Sequence, residues 1–357
     1  MSSRRFVNLV INNSMRNTYD LRRIDMSRFF PPAATKIGNR QQLGKPVKEN
    51  GSLPDPTTSF YSTRHGPLEF ILVKNKLVYI SNNGGAMMYD PHLHAIRTLP
   101  RLTEPKASPI SIANKSGVLF VLDGGSKGSF ESLVYETPCD YRKCKEGKWE
   151  WRALPPPPFF PTHGTNIDSW ALIDGSHIWV STTTSLTSSS TYSFDTERLV
   201  WSDKSADWSL PFSGRAEYVP EHKLWFGISS TWSRSDQGGG HHDVVFCASD
   251  LAAAAVQTGS CPPGIRTVNT MIHDKDWDLV EAHAVHLGCG KFCVARFFST
   301  STTRFGKRNQ LNSVVLSGVE TAKGAATTTT MERFKSSSTD RNGTCSATIR
   351  MPIVLYD

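Results

Sequence analysis

The feature that most constrains this chain is a recurrence. Short apolar runs of four to six residues, rich in Val, Ile, Phe, Tyr and Trp, alternate with Gly-, Ser-, Asn- and Pro-rich breaks along most of the 357 residues. Such runs favour a pleated surface and are too short for amphipathic helices. One short helix is expected at 248–256, opened by Ser249 or Asp250. When the runs are aligned, LVYIS (77–81) is followed by AMMYDPHLHAIRTLP (86–100), and VLFVL (118–122) by SLVYETP (132–138) and KWEWRALPPPPF (148–159). HIWVST (177–182) is followed by STYSFDTERLVWSD (190–203), while KLWFGIS (223–229) and KFCVARF (291–297) open two further units. Each unit reads strand, polar loop, strand, a turn with Asp or Pro, then a Trp/Leu-Pro stretch. The anchors Tyr79, Phe120, Trp179, Trp225 and Phe292 are spaced by 41, 59, 46 and 67 residues.

One such unit is a small twisted sheet with two apolar faces, and it needs a neighbour on each side. Periods of about 40–50 residues holding several strands mark propeller blades. The sequence therefore predicts an all-β fold, a single β-propeller domain over 1–357 with six blades. Five blades occupy 67–335, segments 1–26 and 347–357 share the closing blade, and 27–66 is an extended loop or arm. A pair of β-sandwiches or a two-domain β protein is the rival architecture. Trp149, Trp151, Trp201 and Trp208 are expected to wedge between blades as core.

Charge is unevenly placed. The formal net charge is +8, yet residues 1–50 alone carry +7 and residues 301–350 carry +5. A shared terminal blade would gather Arg4, Arg5, Arg16, Arg22, Arg23 and Arg350 into a basic patch for an acidic partner or a nucleic acid. No apolar run approaches the roughly 18–20 residues of a membrane helix, so no membrane span is expected. The apolar stretch near the start, Phe6 to Ile11, is broken by Asn8 and too short for a secretory signal. The seven Cys are therefore expected as thiols in the cytoplasm or nucleus, with organellar targeting left open.

Candidate chemistry is sparse. The stretches 182–191 and 232–242 read as long rim loops, the second carrying Trp232, Arg234, His241 and His242. Adjacent His residues after three Gly suit a base or a metal ligand only in an irregular loop, because neighbours in a strand face opposite sides. His283, His286, Cys289 and Cys293 have ligand-competent atoms at close spacing, and four such groups suit tetrahedral zinc. They also read as a hairpin turning at Gly288–Gly290, with the Cys residues packed inside. Cys139 and Cys144 flank a basic loop that would favour the thiolate. Phosphate-loop, dinucleotide, nucleophile-elbow and HExxH patterns do not occur, and no cofactor is expected.

The Gly84–Gly85 and Gly124–Gly125 pairs, Tyr89 with Asp90, and Trp151 or Trp201 near a unit's end resemble the kelch-like β-propellers of plants. RFVNLVIN, ALPPPPF, LPFSGRAEYVPEHKLWFGIS and VVLSGVE are similar to a large uncharacterised family of grasses, over residues 4 to about 335. That resemblance implies a propeller-like fold and no particular activity. The resulting expectation is a monomeric, non-catalytic adaptor of kelch-like type that recognises a protein partner through its rim loops. The alternatives are an RNA- or DNA-associated protein using the basic patch, and an enzyme on a propeller scaffold.

Overall fold

The computed structural model describes residues 4–13, 16–31, 48–50, 52–61, 68–81, 83–125, 127–136, 147–160, 165–184, 189–202, 206–234, 240–256, 262–270, 277–304, 307–322, 325–336 and 353–355. The described chain is nearly all strand and divides into two compact units. Unit 1 is Met1–Thr63, Val219–Ser249 and Ile265–Asp357, and unit 2 is Arg64–Tyr218 and Asp250–Gly264. None of the described helices is long and apolar enough to cross a membrane.

Unit 1 opens with β1 (Phe6–Asn13) and β2 (Thr18–Asp25), an antiparallel hairpin followed by a 3-10 turn at Ser27–Phe29. The arm after it is not simply a loop. Within it β3 (Lys48–Asn50) and β4 (Thr58–Tyr61) are strands, β4 pairing with β2. Both are short edge strands whose three or four residues show no alternation long enough to read in sequence.

Unit 2 holds three antiparallel meanders. The first is β5 (Leu68–Val73), β6 (Lys76–Ser81), β7 (Ala86–Asp90) and β8 (Ala95–Leu99). The second is β9 (Ile110–Ala113), β10 (Leu119–Leu122), β11 (Phe130–Glu136) and β12 (Lys148–Ala153). The third is β13 (Thr165–Ile173), β14 (His177–Thr184), β15 (Ser190–Asp195) and β16 (Val200–Trp201), with β17 (Gly214–Val219) added parallel to β13. The middle sheet is buried on both faces, which is why LFVL carries no polar residue. Leu119 and Val121 pack towards the first sheet, and Phe120 and Leu122 towards the third.

The sequence repeat of unit 2 has a hydrogen-bonded cause. Trp151 Nε1 donates to Pro100 O at 2.9 Å, and Trp201 Nε1 donates to Pro155 O at 2.9 Å. Each outer-strand Trp thus latches onto the Leu-Pro exit of the preceding sheet. The Asp of each unit caps a turn. Asp90 Oδ1 accepts from the His92 and Leu93 N–H groups, and Asp195 Oδ1 from those of Glu197 and Arg198. Four residues on, His94 (φ 49°) and Leu199 (φ 58°) are left-handed. The second glycine pair has a steric reason: a Cβ on Gly124 would lie 2.3 Å from Ser108 O.

The rest of unit 1 contains β18 (Leu224–Arg234), β19 (Gly240–Ser249) and β20 (Ile265–Thr270), an antiparallel run. The helix that follows β19 in sequence, α1 (Leu251–Val256), belongs to unit 2 and starts later than expected, with Asp250 Oδ1 accepting from Ala253 N–H. A further sheet orders β21 (Asp278–Gly288), β22 (Lys291–Arg304), β23 (Lys307–Ala322), β24 (Ala325–Ser336) and then β3, parallel to β24. β25 (Ile353–Leu355) pairs antiparallel with β1, so both ends of the chain enter one sheet. Along β22 the sides alternate. Cys293, Ala295 and Phe297 join a core with Val7, Leu9 and Phe29, whereas Phe292 and Val294 join Phe226 and Phe246.

Candidate functional site

A polar constellation forms where the β17–β18 turn and the β21–β22 turn meet within unit 1. Glu221 and His222 follow Pro220 in the first turn, whose tightness is seen in the His222 N–H to Val219 O bond and in Lys223 at φ 53°. The second turn is Gly288–Cys289–Gly290, with all three residues left-handed. Cys289 N–H donates to Glu221 Oε1 at 3.3 Å, and His286 Nε2 lies 3.9 Å from Glu221 Oε2. His222 Nε2 is 2.8 Å from Thr321 Oγ1, which in turn donates to Gly290 O at 2.9 Å. Since the Thr321 hydrogen is committed to Gly290, His222 Nε2 is the donor in that pair. Gly290 is required by close approach: a Cβ there would meet Thr321 O at 2.8 Å and His222 Nε2 at 3.3 Å.

The electrostatics favour an ionised carboxylate. Glu221's own backbone N–H, then the charge of His286, the Cys289 N–H and His222 hold its carboxyl below the ordinary range, against a smaller opposing effect of burial. Its side chain is 32% exposed, and that of His286 12%. A carboxylate that is ionised and partly open to solvent can orient the largely buried imidazole beside it.

The four weak zinc candidates do not come together, and the hairpin read at Gly288–Gly290 is the β21–β22 turn. His283 and His286 are an odd number of residues apart in β21 and pair with Ala295 and Phe292, so their side chains leave opposite faces. His283 Nε2 lies 2.9 Å from Glu281 Oε1, away from Glu221. Cys293 is buried on the His283 side, where burial pushes its thiol up to about 12, while Cys289 is an exposed thiol in the turn. Among the described residues no group of three or more His, Cys, Asp or Glu could hold a metal ion.

The described ends of the two rim loops are ladder, while 185–188 and 235–239 lie outside the described residues. Trp232 pairs with His242, Ser233 with His241 and Arg234 with Gly240, extending the β18–β19 hairpin, and only the backbone of these residues is described. In the other stretch Thr182 and Thr191 are buried strand residues. Alternating apolar content is low in both, so sequence reads loop where hydrogen bonding continues the strands.

The basic patch is only partly gathered. Arg5 and Arg23 flank the ring of Phe6, and Arg4 is adjacent, its N–H bonded to Leu287 O at 2.6 Å. Arg22 leaves the opposite face of β2, and its guanidinium bonds Pro54 O and contacts Asp20. Arg16 sits at the far end of the hairpin, and Arg350 lies outside the described residues. Cys139 and Cys144 also lie outside them. Sequence reading missed Glu221, His222 and Thr321. An acidic residue and a His side by side after Pro220 were the available signal.

The model of a family described as "Protein of unknown function (DUF1668)" matches residues 4–339. No curated protein matches the chain. Among solved structures the chain is similar to an exo-1,5-alpha-L-arabinanase from a bovine ruminal metagenomic library, at 9% identity and TM-score 0.40, covering 76% of this chain and 96% of that one. It is also similar to a GH43 endo-arabinanase from Bacillus licheniformis, at 9% identity and TM-score 0.38, covering 73% and 96%. The resemblance read from the sequence stands at the level of an uncharacterised family, without its kelch-like part. The expectation of a kelch-like, non-catalytic adaptor is corrected: the matching family is one of unknown function and carries no adaptor role, and the described ends of the rim loops it relied on are strand.

Proposed function

We propose, for a chain that belongs to this family of unknown function, an enzyme on a β-propeller scaffold whose proton-transfer pair is Glu221 and His286. The three meanders of unit 2 and, in unit 1, the strand groups β25-β1-β2-β4, β18-β19-β20 and β21-β22-β23-β24-β3 are read as its blades, supported by the repeated Trp–Pro latches and by the β25–β1 pairing. The observation that carries the functional reading is the Glu221 carboxylate held between His286 and the Cys289 N–H, partly open to solvent. The ionised carboxylate orients the imidazole. The imidazole takes a proton from an attacking water and returns it to the leaving group, which is general acid–base hydrolysis. His222, clamped by Thr321 and Gly290, fixes the neighbouring turn rather than reacting.

The test is a panel of chromogenic esters, phosphates and glycosides, arabinan included, with the native chain, Glu221→Gln and His286→Gln. Turnover is expected with one class, and each variant should lose about 100-fold or more in kcat at unchanged melting temperature. The native rate should be lost in acid only as pH falls through the Glu221 range, which lies below that of an ordinary carboxylate. No turnover across the panel, or full activity in both variants, would overturn the reading.

A further inference from the structure

Three neighbouring strands of unit 1 surround a thioether with hydrogen-bond donors that sulfur uses poorly. Met331 of β24 stands opposite Ser317 of β23 in the antiparallel ladder. Arg296 of β22 pairs with Val315, two residues before Ser317, so Arg296, Ser317 and Met331 leave the same face of the sheet. Arg296 is 1% exposed, and its Nη2 donates to Met331 Sδ at 3.4 Å. Burial lowers the guanidinium only to about 10, so it is charged at neutral pH. The Ser317 hydroxyl is fully buried and has no hydrogen-bond partner among the described residues. Such a group calls for an explanation, because buried polar atoms are nearly always bonded. Met331 itself is partly exposed, whereas Met26 and Met88 are sealed at 1% and 5%.

A thioether is a weak acceptor, so a charged donor aimed at it gains little. Oxidation turns the side chain polar, and it normally disrupts a packed site because the new oxygen finds no donors there. Beside Met331 the donors are in place. One is the N–H that already points at sulfur, so Arg296 gives up no other contact. The other is the Ser317 O–H, across a strand pair whose Cβ atoms stand about 4.5–5.5 Å apart. We propose that Met331 is an oxidation site for hydrogen peroxide, and that Arg296 and Ser317 hold the sulfoxide oxygen. Arg296 engages one lone pair of the sulfur. The other lone pair attacks one peroxide oxygen, so the S–O bond forms as the O–O bond breaks. Sulfur loses two electrons, the peroxide gains them, and the departing hydroxide takes the proton from the transferred oxygen and leaves as water. This site stands independently of the Glu221–His286 pair.

The experiment treats the full-length chain with dilute hydrogen peroxide, maps the added oxygen by peptide mass spectrometry, and follows melting by circular dichroism. Oxygen is expected on Met331 and on Met87, which is 36% exposed, with Met26 and Met88 untouched while the chain stays folded. The change in melting temperature on oxidation, native chain minus Met331→Leu, isolates Met331 from every other methionine. Leu keeps the volume of the side chain without its sulfur. That difference should be a rise of about 1–2 °C, the size of one added hydrogen bond in a chain of this length. Ser317→Ala removes the hydroxyl donor, and each variant is referred to its own reduced form, so a changed fold does not enter the comparison. In the Ser317→Ala background the rise should vanish. A Met331 left unmodified when Met87 is fully oxidised, a difference of zero or below in the native background, or an equal rise with and without the Ser317 hydroxyl would each overturn the proposal.

Discussion

The three meanders of unit 2 and the three strand groups of unit 1 bury their apolar faces by different means. Unit 2 is one continuous run of meanders plus a short return segment, and it repeats its devices: an indole N–H on a Pro carbonyl, and an Asp capping the last hairpin. Unit 1 is assembled from three separate stretches of chain. It borrows β3, β4 and β25 as added strands, and it extends β22 and β23 to 14 and 16 residues. The proposed chemistry lies in the second of these. Regular repeats spend their polar groups on holding the sheets, whereas irregular joins leave Glu221, His286 and the Phe6 arginines facing solvent or one another.

Unit 2 also contains the most demanding polar contact. Lys106 and Glu131 are 0% and 1% exposed and 2.6 Å apart. Lys106 Nζ also donates to Ser129 Oγ and Glu104 O, and Glu131 accepts from the Thr103 and Glu104 N–H groups. Burial raises the Glu131 carboxyl, but the bonds from Lys106 and Thr103 outweigh it and hold it below the ordinary range.

The sharpest way to break the comparison is Lys106→Met, which leaves a buried carboxylate without its cation. A loss of about 3–5 kcal/mol is expected by urea unfolding, with hydrogen-exchange protection falling first in β9–β12. Glu131 is depressed in the folded state, so its contribution is present above its unfolded value near pH 4.3 and is lost as pH falls through the lowered one. The gap in stability between the native chain and the variant should therefore narrow as pH falls, because acid removes the native pair's contribution and neutralises the carboxylate that the variant leaves unpaired.

The Trp–Pro latches come next. Trp151→Phe and Trp201→Phe should each cost about 1–3 kcal/mol, since a carbonyl loses its donor and some ring area goes. Similar losses from the two, measured by thermal melting, would show that the latches are equivalent. A near-zero cost for one would mean that the sequence repeat overstates the structural one. The smallest effect is a gain. Leu199 is 39% exposed and left-handed, so Leu199→Gly should relieve backbone strain and stabilise by up to about 1 kcal/mol. Destabilisation instead would indicate that the Leu side chain contributes more to unit 2 than its exposure suggests.

Much of unit 2 was legible because its signals are local. Val, Phe and Leu in runs of four, Asp at a turn and Leu-Pro at an exit each report a conformation within a few residues. What the Trp residues bond was not legible, since their partners lie 51 and 46 positions away. In unit 1 local signals gave the hairpin at Gly288–Gly290 but not the fate of its side chains. Close spacing left His283, His286, Cys289 and Cys293 as weak candidates for a shared site, and period-two geometry divides the strand residues between faces and leaves Cys289 in the turn. The same rule separates Arg22 from Arg23, which a count of charge cannot do. Glu221 and His222 were passed over because nothing in their own segment says that Cys289 and Thr321 will stand beside them.

By itself, then, the amino-acid order determined that this chain is built of short strands. Alternation, β-branching and turn residues act over a handful of bonds and need no distant partner. Which side chains meet was decided only in three dimensions. Register and stacking fix the partners of each face, and a shift of one residue along a strand sends every group to the other side. The Glu221–His286 pair and the ring of Phe6 between its arginines exist through that choice alone.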